Sequence, residues 1–387
     1  MRPTGMSLRA SASALDELRR RLDATLLPPF VGTRSDESSR LLAASWEEGP
    51  PVDYVADLLH TWRHDYDWRR LETSLEDHGR NIARVDGLDI EFLHVRSTRL
   101  DASPLVISHG WPSSIIEPLQ VLDLLANPRD PSLPAFHVVA PSLPGFGFSG
   151  KPSGAGWTTR RTASAWADLM ASLGYAEFLA AGGDWGGRVT AALGTHHPDK
   201  VAGIHTFTPY VAEPLTGDGD LSPKEARWLA ETRHFWRFGS GYSLEQSTKP
   251  QTVAYALLDS PVAQLTWILE KLHSWTDNSG DVESAVTRDQ ILDIATFYWL
   301  SRTGGSSARY YWANFPPERN EKVDVPTAIT IFPADIEKLP RSWIETRFRD
   351  IRYWSEPRRG GHFPMLEVPD SYVSELQTGF RALNLHS

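Results

Sequence analysis

The stretch Gly182-Gly183-Asp184-Trp185-Gly186-Gly187 decides how the rest of the chain is read. It follows the run Ala176 to Ala181, apolar apart from Glu177, and it precedes Arg188 to His196, whose spacing is helical. A buried parallel strand, a tight turn and a helix are the context in which a turn presents a nucleophile at its tip. Such a turn crowds its own backbone, so small residues are needed two places before and two places after the nucleophile, where Gly182 and Gly186 stand. The central residue is then Asp184, in the seat that serine usually holds. A carboxylate that attacks a saturated carbon gives an alkyl ester whose carbonyl carbon belongs to the protein, so the chemistry is displacement at alkyl carbon and not acyl transfer. The plainer reading is an aspartate that only caps the following helix. The rest of the chain has to decide between them.

A length of 387 residues exceeds one typical domain and leaves room for a core with insertions. Hydrophobic residues at 41% and charged residues at 23% are ordinary for a globular protein in water. A formal net charge of -10, with no basic tract, argues against nucleic acid or an anionic membrane as a partner. Without cysteine there is no disulfide framework and no thiolate metal site, and redox chemistry says nothing about compartment. The first 30 residues hold no long apolar stretch and mix Arg19, Arg20 and Arg21 with Asp16, Glu17 and Asp23, so no signal peptide or membrane anchor is expected and the location is read as cytoplasmic. Seven lysines against 32 arginines fit GC-rich bacterial coding. Fifteen tryptophans serve either an apolar ligand pocket or the core.

Along the chain, Ser13 to Leu22 reads as a short amphipathic helix with Ser13 and Asp16 at capping spacing, stopped before Pro28-Pro29. Residues from about 38 to 80 carry helical spacing through Tyr54, Leu58, Trp62, Tyr66 and Trp68. Gly87 marks a turn, after which Leu88 to Val95 alternates as a strand does, and Pro104 to Ser108 and His137 to Ala140 follow. Val201 to Phe207 is the strand after the turn's helix, closed by Pro209 and Pro214. From roughly 212 to 315 the pattern is helical and rich in Trp, Tyr and Leu, as in a helical insertion. Strands resume at Val325 to Phe332 and Ile351 to Trp354, and Ser371 to Leu383 forms a last helix. Ser301 to Ser307 is a loop or a helix start. Strands separated by helix-length segments predict an α/β fold with a mostly parallel sheet flanked by helices.

A nucleophile of this kind needs a base to activate water and a carboxylate to orient the base, in the chain order nucleophile, acid, histidine. His362, in Gly360-Gly361-His362-Phe363, is a loop imidazole after the last strand. Asp335, in Phe332-Pro333-Ala334-Asp335, sits in a strand-end loop suited to the acid, with Glu337 as its rival and turn chemistry after Pro333 as the plainer reading. His109-Gly110-Trp111-Pro112 directly follows a strand, where the loop that supplies an oxyanion-hole N–H belongs. The N–H groups of Trp111 and Trp185 are the candidates. His109, Gly110 and Pro112 support this loop, and His109 orients it and does not titrate in the reaction.

The set GGDWGG, HGWP, Ser142-Leu143-Pro144-Gly145-Phe146-Gly147-Phe148-Ser149 and GGHF resembles the epoxide hydrolases of the α/β hydrolase fold. Trp62-Arg63-His64-Asp65-Tyr66-Asp67-Trp68-Arg69 and Asp86-Gly87-Leu88-Asp89-Ile90-Glu91-Phe92-Leu93-His94 are similar to the leading segment of the microsomal-type branch, which includes insect juvenile-hormone and bacterial biosynthetic members. The likeness runs from about residue 10 to the end. It implies an N-terminal meander over residues 1–85 that packs on core and lid, a core in two parts over 86–211 and 316–387, and a helical lid over 212–315. It also implies two lid tyrosines that hydrogen-bond the epoxide oxygen. A phenol with a pKa of about 10 stays protonated at neutral pH and can donate to a leaving alkoxide. The first lid motif falls on Tyr242-Ser243-Leu244-Glu245-Gln246-Ser247-Thr248-Lys249-Pro250-Gln251-Thr252 and gives Tyr242. The second falls on Ser306-Ser307-Ala308-Arg309-Tyr310-Tyr311, where spacing favours Tyr311 and Tyr310 stays open. The family's orienting acid is usually glutamate, and here its place is held by Asp335.

The resemblance thus implies an enzyme that needs no cofactor or metal and converts an epoxide to a vicinal diol through an aspartyl ester. Its expected partner is a small-molecule epoxide, bulky and apolar or aromatic if Trp228, Trp236, Trp267 and Trp275 line the lid, with a bacterial natural-product intermediate as one fit. The family's mammalian members have a membrane anchor that is not expected here, and a homodimer stays open. The rivals are a haloalkane dehalogenase with the same aspartate nucleophile, and a non-catalytic binding module on a hydrolase fold.

Overall fold

The structure is a computed structural model and describes residues 8–28, 45–211, 221–316 and 321–384. Its centre is one eight-stranded sheet in the order β1-β2-β4-β3-β5-β6-β7-β8. The strands are β1 Arg80–Val85, β2 Leu88–Val95, β3 Ser103–Ser108, β4 Phe136–Pro141, β5 Phe178–Gly182, β6 Val201–Thr206, β7 Thr327–Thr330 and β8 Ile351–Ser355. Pairings β1–β2 and β2–β4 are antiparallel, and every pairing from β4 to β8 is parallel. The inner strands are continuous apolar runs because helices cover both faces of the sheet. Val106 and Ala180 face a cluster that contains Trp166 of the helix Thr159–Ser172 and Val189 of the helix Asp184–His196. Their neighbours Leu105, Ile107, Leu179 and Ala181 face the other side, with Leu122 of Leu119–Ala126 and Leu376 of Pro369–Ala382.

The expected strands are present within a residue or two, with two differences. β7 is shorter than Val325 to Phe332 because Pro326 has no N–H to give a ladder and the chain turns at Phe332-Pro333. The added edge strand β1 pairs with β2 through a hairpin whose two central residues, Asp86 (φ 45°) and Gly87 (φ 75°), are both left-handed. Asp-Gly is the dipeptide that such a turn selects, so the signal lay in the sequence beside a turn that was read only from Gly87.

The first helix runs Ala12–Asp23 and is capped by Ser11, not Ser13: Ser11 is extended (φ -66°, ψ 156°) and its hydroxyl accepts from the Ala14 N–H. Pro29, and the part of the expected helical region from 38 to 44, lie outside the described residues; Val52–His64 and Trp68–Asp77 are helices. They dock on the helices that follow β6. Trp62 Nε1 donates to Thr296 Oγ1 at 2.9 Å, and Tyr66 and Arg70 both donate to the Asp293 carboxylate at 2.7 Å. Thr296 and Asp293 share the lid helix Arg288–Leu300.

Among the described residues from 221 to 316 the regular structure is helical, without a strand; Pro214 and the rest of 212–220 lie outside the described residues. Pro223, Pro250 and Pro261 sit in the first turns of their helices, where a missing N–H costs nothing. Capping boxes at Ser222/Glu225 and Thr287/Gln290 fix two of the starts. The stretch Ser301 to Ser307 proves to be a helix start, opening Gly304–Ala313. Among the described residues no helix is long and apolar enough to cross a membrane.

Candidate active site

Parallel strands point their C-terminal ends at one edge of the sheet, and the loops after β3, β5, β6, β7 and β8 meet there. After β5 the chain enters the helix Asp184–His196 through Asp184 itself, at φ 51°. A non-glycine residue held left-handed is strained, and here close packing over-determines it. A Cβ on Gly186 would lie 1.9 Å from the Ser108 carbonyl oxygen, and one on Gly182 would lie 2.6 Å from the Gly186 carbonyl carbon. The N-cap of the helix is Gly183, so Asp184 holds the first helical position and not the cap. Its carboxylate points away, toward the loop after β3, where Oδ1 accepts the Trp111 N–H at 2.9 Å. That disposes of the plain helix cap.

Gly110 makes this approach feasible, because a Cβ there would stand 2.4 Å from Asp184 Oδ1. Buried His109 pins the loop: its Nδ1 bonds the Gly110 carbonyl at 2.9 Å and its Nε2 accepts the Leu143 N–H at 3.1 Å. The first bond needs a proton on Nδ1 and the second a lone pair on Nε2, so the ring is neutral, and burial pushes its pKa down to about 4. Pro112 follows Trp111 in the same loop, joined by a cis peptide bond.

His362 lies on the other side of the carboxylate. Its Nδ1 meets Asp335 Oδ1 at 2.7 Å, and its Nε2 stands 3.6 Å from Asp184 Oδ2, buried and without a hydrogen-bond partner. The His362 N–H donates to the Trp275 carbonyl at 2.8 Å, which ties the histidine loop to the lid. Asp335, 3% exposed, is held by the Ile336 N–H at 2.7 Å and the Thr208 hydroxyl at 3.2 Å. Its rival Glu337 faces elsewhere: it accepts from Trp236 Nε1 at 2.8 Å, and burial raises its carboxyl to about 7.

The two partners of this pair are pulled apart electrostatically. Burial alone would raise the Asp184 carboxyl, yet the close and charged His362 and the N–H groups of Trp111 and Trp185 bring it below the ordinary carboxylate value. Burial alone would depress His362, yet Asp335 and Asp184 together hold it well above the ordinary imidazole value. The resting site is therefore a carboxylate beside an imidazolium.

Above Asp184 lies a cavity of about 680 Å³, between the sheet edge and the lid helices, lined in part by Asp184, Trp185, Tyr242 and Tyr311. Tyr242 stacks on Trp111 (ring centroids 4.9 Å apart, 8° between planes), and Tyr311 stands edge-on to Trp185 at 4.8 Å. The two phenol rings are 5.9 Å apart. Burial first, and then the Asp184 and Glu337 charges, push Tyr242 well above the ordinary phenol value; burial, then Tyr242 and Asp184, do the same for Tyr311. Both phenols are protonated donors, and the Tyr311 hydroxyl is buried with no hydrogen-bond partner. Tyr310 points away, its hydroxyl 3.0 Å from Thr162 Oγ1. Successive helix residues differ by about 100°, so only one of the pair can face the cavity.

Of the four tryptophans Trp228, Trp236, Trp267 and Trp275, Trp236 lines the cavity. Trp228 and Trp275 are buried in the core cluster and Trp267 packs against it, its Nε1 bonded to Gln246 Oε1 at 3.2 Å. Trp343, outside the lid, joins the lining. The sequence reading did not single out Thr208 or Glu117. Glu117 borders a second pocket of about 10 Å³ with Asp184 and His362, roughly the room one water needs, and burial raises its carboxyl to about 7. Its signal was faint: a charged residue in the otherwise uncharged stretch from Gly110 to Ala126, apart from Asp123.

Residues 3–118 match the family model "Epoxide hydrolase N terminus", and residues 103–244 match the model for the alpha/beta hydrolase fold. A Stigmatella aurantiaca protein, itself only provisionally named an epoxide hydrolase, is 44% identical over 98% of this chain and 85% of its own length. Epoxide hydrolase 1 of Oryctolagus cuniculus is 30% identical over 95% of this chain and 86% of its own. The structure of Aspergillus niger epoxide hydrolase, 27% identical, superposes with a TM-score of 0.86 over 99% of this chain and 97% of that one. The relatives give no support to a dehalogenase or to a disabled hydrolase, and the chain belongs to the epoxide hydrolases of the α/β hydrolase fold.

Proposed function

We propose that the enzyme hydrolyses an epoxide to a vicinal diol in two steps, with Asp184 as nucleophile and His362 as base. The observation that carries this reading is the carboxylate of Asp184, shared between the Trp111 N–H on Oδ1 and the His362 imidazole near Oδ2, beneath two protonated phenols. In the first step Oδ2 attacks a ring carbon and the C–O bond of the epoxide breaks. The ring oxygen takes a proton from Tyr242 or Tyr311, so the alkoxide never has to exist free in an apolar cavity. Oδ1 remains the ester carbonyl oxygen, already in the N–H groups of Trp111 and Trp185 that would hold the oxyanion of the second step.

Ester formation also switches the base on. Asp184 loses its charge, and with it goes one of the two interactions that hold His362 protonated. The imidazole pKa falls, the proton that His362 gives up replaces the one the phenol lost, and its free Nε2 can take another from a water beside the ester carbonyl carbon. Asp335 keeps the ring oriented and balances the imidazolium that forms. Attack at that carbon releases the diol and returns Asp184 as a carboxylate. One oxygen of the carboxylate then derives from water. The pocket bordered by Glu117 is the place we assign to that water.

The expected substrate is bulky and largely apolar, as the cavity's size and rings suit, and a bacterial natural-product intermediate would fit. The test is chemical. Asp184→Ala should fold and lose diol formation by at least about 10⁴-fold in kcat, as loss of a nucleophile does elsewhere. His362→Gln should form the ester and not release it, so mass spectrometry after mixing with an epoxide should find the substrate's mass added to Asp184. Turnover by Asp184→Ala, or ring opening by His362→Gln with no adduct, would mean that water attacks directly.

A further inference from the structure

We infer that the enzyme's epoxide carries a carboxylate, or an equivalent anionic oxygen group, at the end remote from the ring, and that Arg188 binds it. The inference rests on the epoxide reading above. Arg188 lies four residues after Asp184 on the same helix, one turn along and on the same side, and it lines the same cavity. Its guanidinium is half-buried and lies over the Tyr210 ring at 3.6 Å from the centroid and the Trp185 ring at 4.9 Å. Stacking uses the faces of the guanidinium and leaves its in-plane N–H fork free. Among the described residues no carboxylate or carbonyl accepts a hydrogen bond from it. Glu337 lines the same cavity and feels the charge of Arg188, but no ion pair within 4.0 Å joins them.

A held cation with unused donors is expensive in an apolar enclosure unless a ligand supplies the acceptor, and a planar fork fits a carboxylate with two parallel bonds. The charge pattern of the cavity agrees independently. Among the described residues the cavity lining also holds Arg237, on a chain whose net charge is -10. Arg237 is exposed, beside the exposed Trp236, so it stands at the opening while Arg188 stands inside. A cation at the opening of a negative protein draws anions to that place.

The experiment compares two aryl epoxides that differ at one end, 4-carboxystyrene oxide and its methyl ester. The wild-type enzyme should prefer the acid in kcat/KM by about 10- to 100-fold, the range of a charge-assisted pair of hydrogen bonds. That preference should fall to near unity in Arg188→Gln and be kept in part by Arg188→Lys. In Arg237→Gln the acid alone should lose rate at low salt, and its salt dependence should flatten. A wild-type enzyme that takes the ester as well as the acid, or an Arg188→Gln variant that keeps the preference, overturns the inference and leaves the epoxide reading standing. If neither compound nor unsubstituted styrene oxide yields a diol, the epoxide reading itself falls.

Discussion

The floor and the roof of the cavity are built on different principles. On the floor, Asp184, the Trp111 N–H and His362 are placed by backbone: a left-handed residue, glycines packed against carbonyls, and loops that leave strand ends at the same edge of the sheet. On the roof, Tyr242 and Tyr311 are placed by ring against ring, and the Tyr311 hydroxyl has no protein partner at all. A backbone-built site tolerates almost no change in shape, whereas a packed one tolerates loss of a single polar atom. The floor should therefore fail in large steps and the roof in small ones.

Gly110→Ala is the sharpest way to break the floor without replacing a reacting group. The added methyl would fall 2.4 Å from Asp184 Oδ1, so either the loop or the carboxylate must move by about an ångström. Displacement on that scale costs about 10²-fold in rate. The loss should appear in kcat for ester formation, measured in a single turnover, with thermal stability reduced only modestly. An unchanged rate would mean that the floor is softer than its geometry implies.

The same contrast explains what the sequence made legible. Glycines two places on either side of Asp184, the His109-Gly110 pair before Trp111 and the glycines before His362 are local necessities of backbone shape, so they can be read as short motifs. Asp335 was readable for the same reason, one turn past a strand end. The roof left no such trace. Tyr310 and Tyr311 are adjacent, and only the rotation of the helix Gly304–Ala313 sends one to Thr162 and the other to the cavity. Trp228, Trp267 and Trp275 look like pocket aromatics in a helical lid, and burial puts them in the packing instead. The edge strand β1 was missed through a signal that was present, Asp86-Gly87, while Thr208 reaches Asp335 across 127 residues and could not have been paired with it from order alone.

On the roof, Tyr311→Phe removes a buried hydroxyl that has no hydrogen-bond partner, so stability should hold or rise slightly. The rate of ring opening should fall by about 10- to 100-fold, the share of one general acid when Tyr242 remains. Tyr310→Phe should leave ring opening unchanged and instead cost about 1 kcal/mol of stability for its bond to Thr162. Chemical denaturation and pre-steady-state kinetics on both variants separate these outcomes. An equal kinetic loss in both would mean that the helix turns in solution.

The smallest expected effect lies where floor and sheet meet. The Thr208 hydroxyl donates to Asp335 Oδ2 at 3.2 Å, long for such a bond, while Oδ1 takes both the Ile336 N–H and the imidazole at 2.7 Å. Thr208→Val keeps the shape and removes one donor of several, so Asp335 should stay in place with less of its charge shared. Its full charge then faces the imidazolium, so the pKa of His362 in the ester should rise. The base must be neutral to act, and the acid limb of ester hydrolysis should therefore move to higher pH while ring opening, which needs only the Asp184 carboxylate, keeps its profile. A shift of a few tenths of a unit is what about 0.5 kcal/mol allows. A shift of both limbs together would show that Thr208 acts by holding the floor in shape, and would extend the backbone-built region to the end of β6.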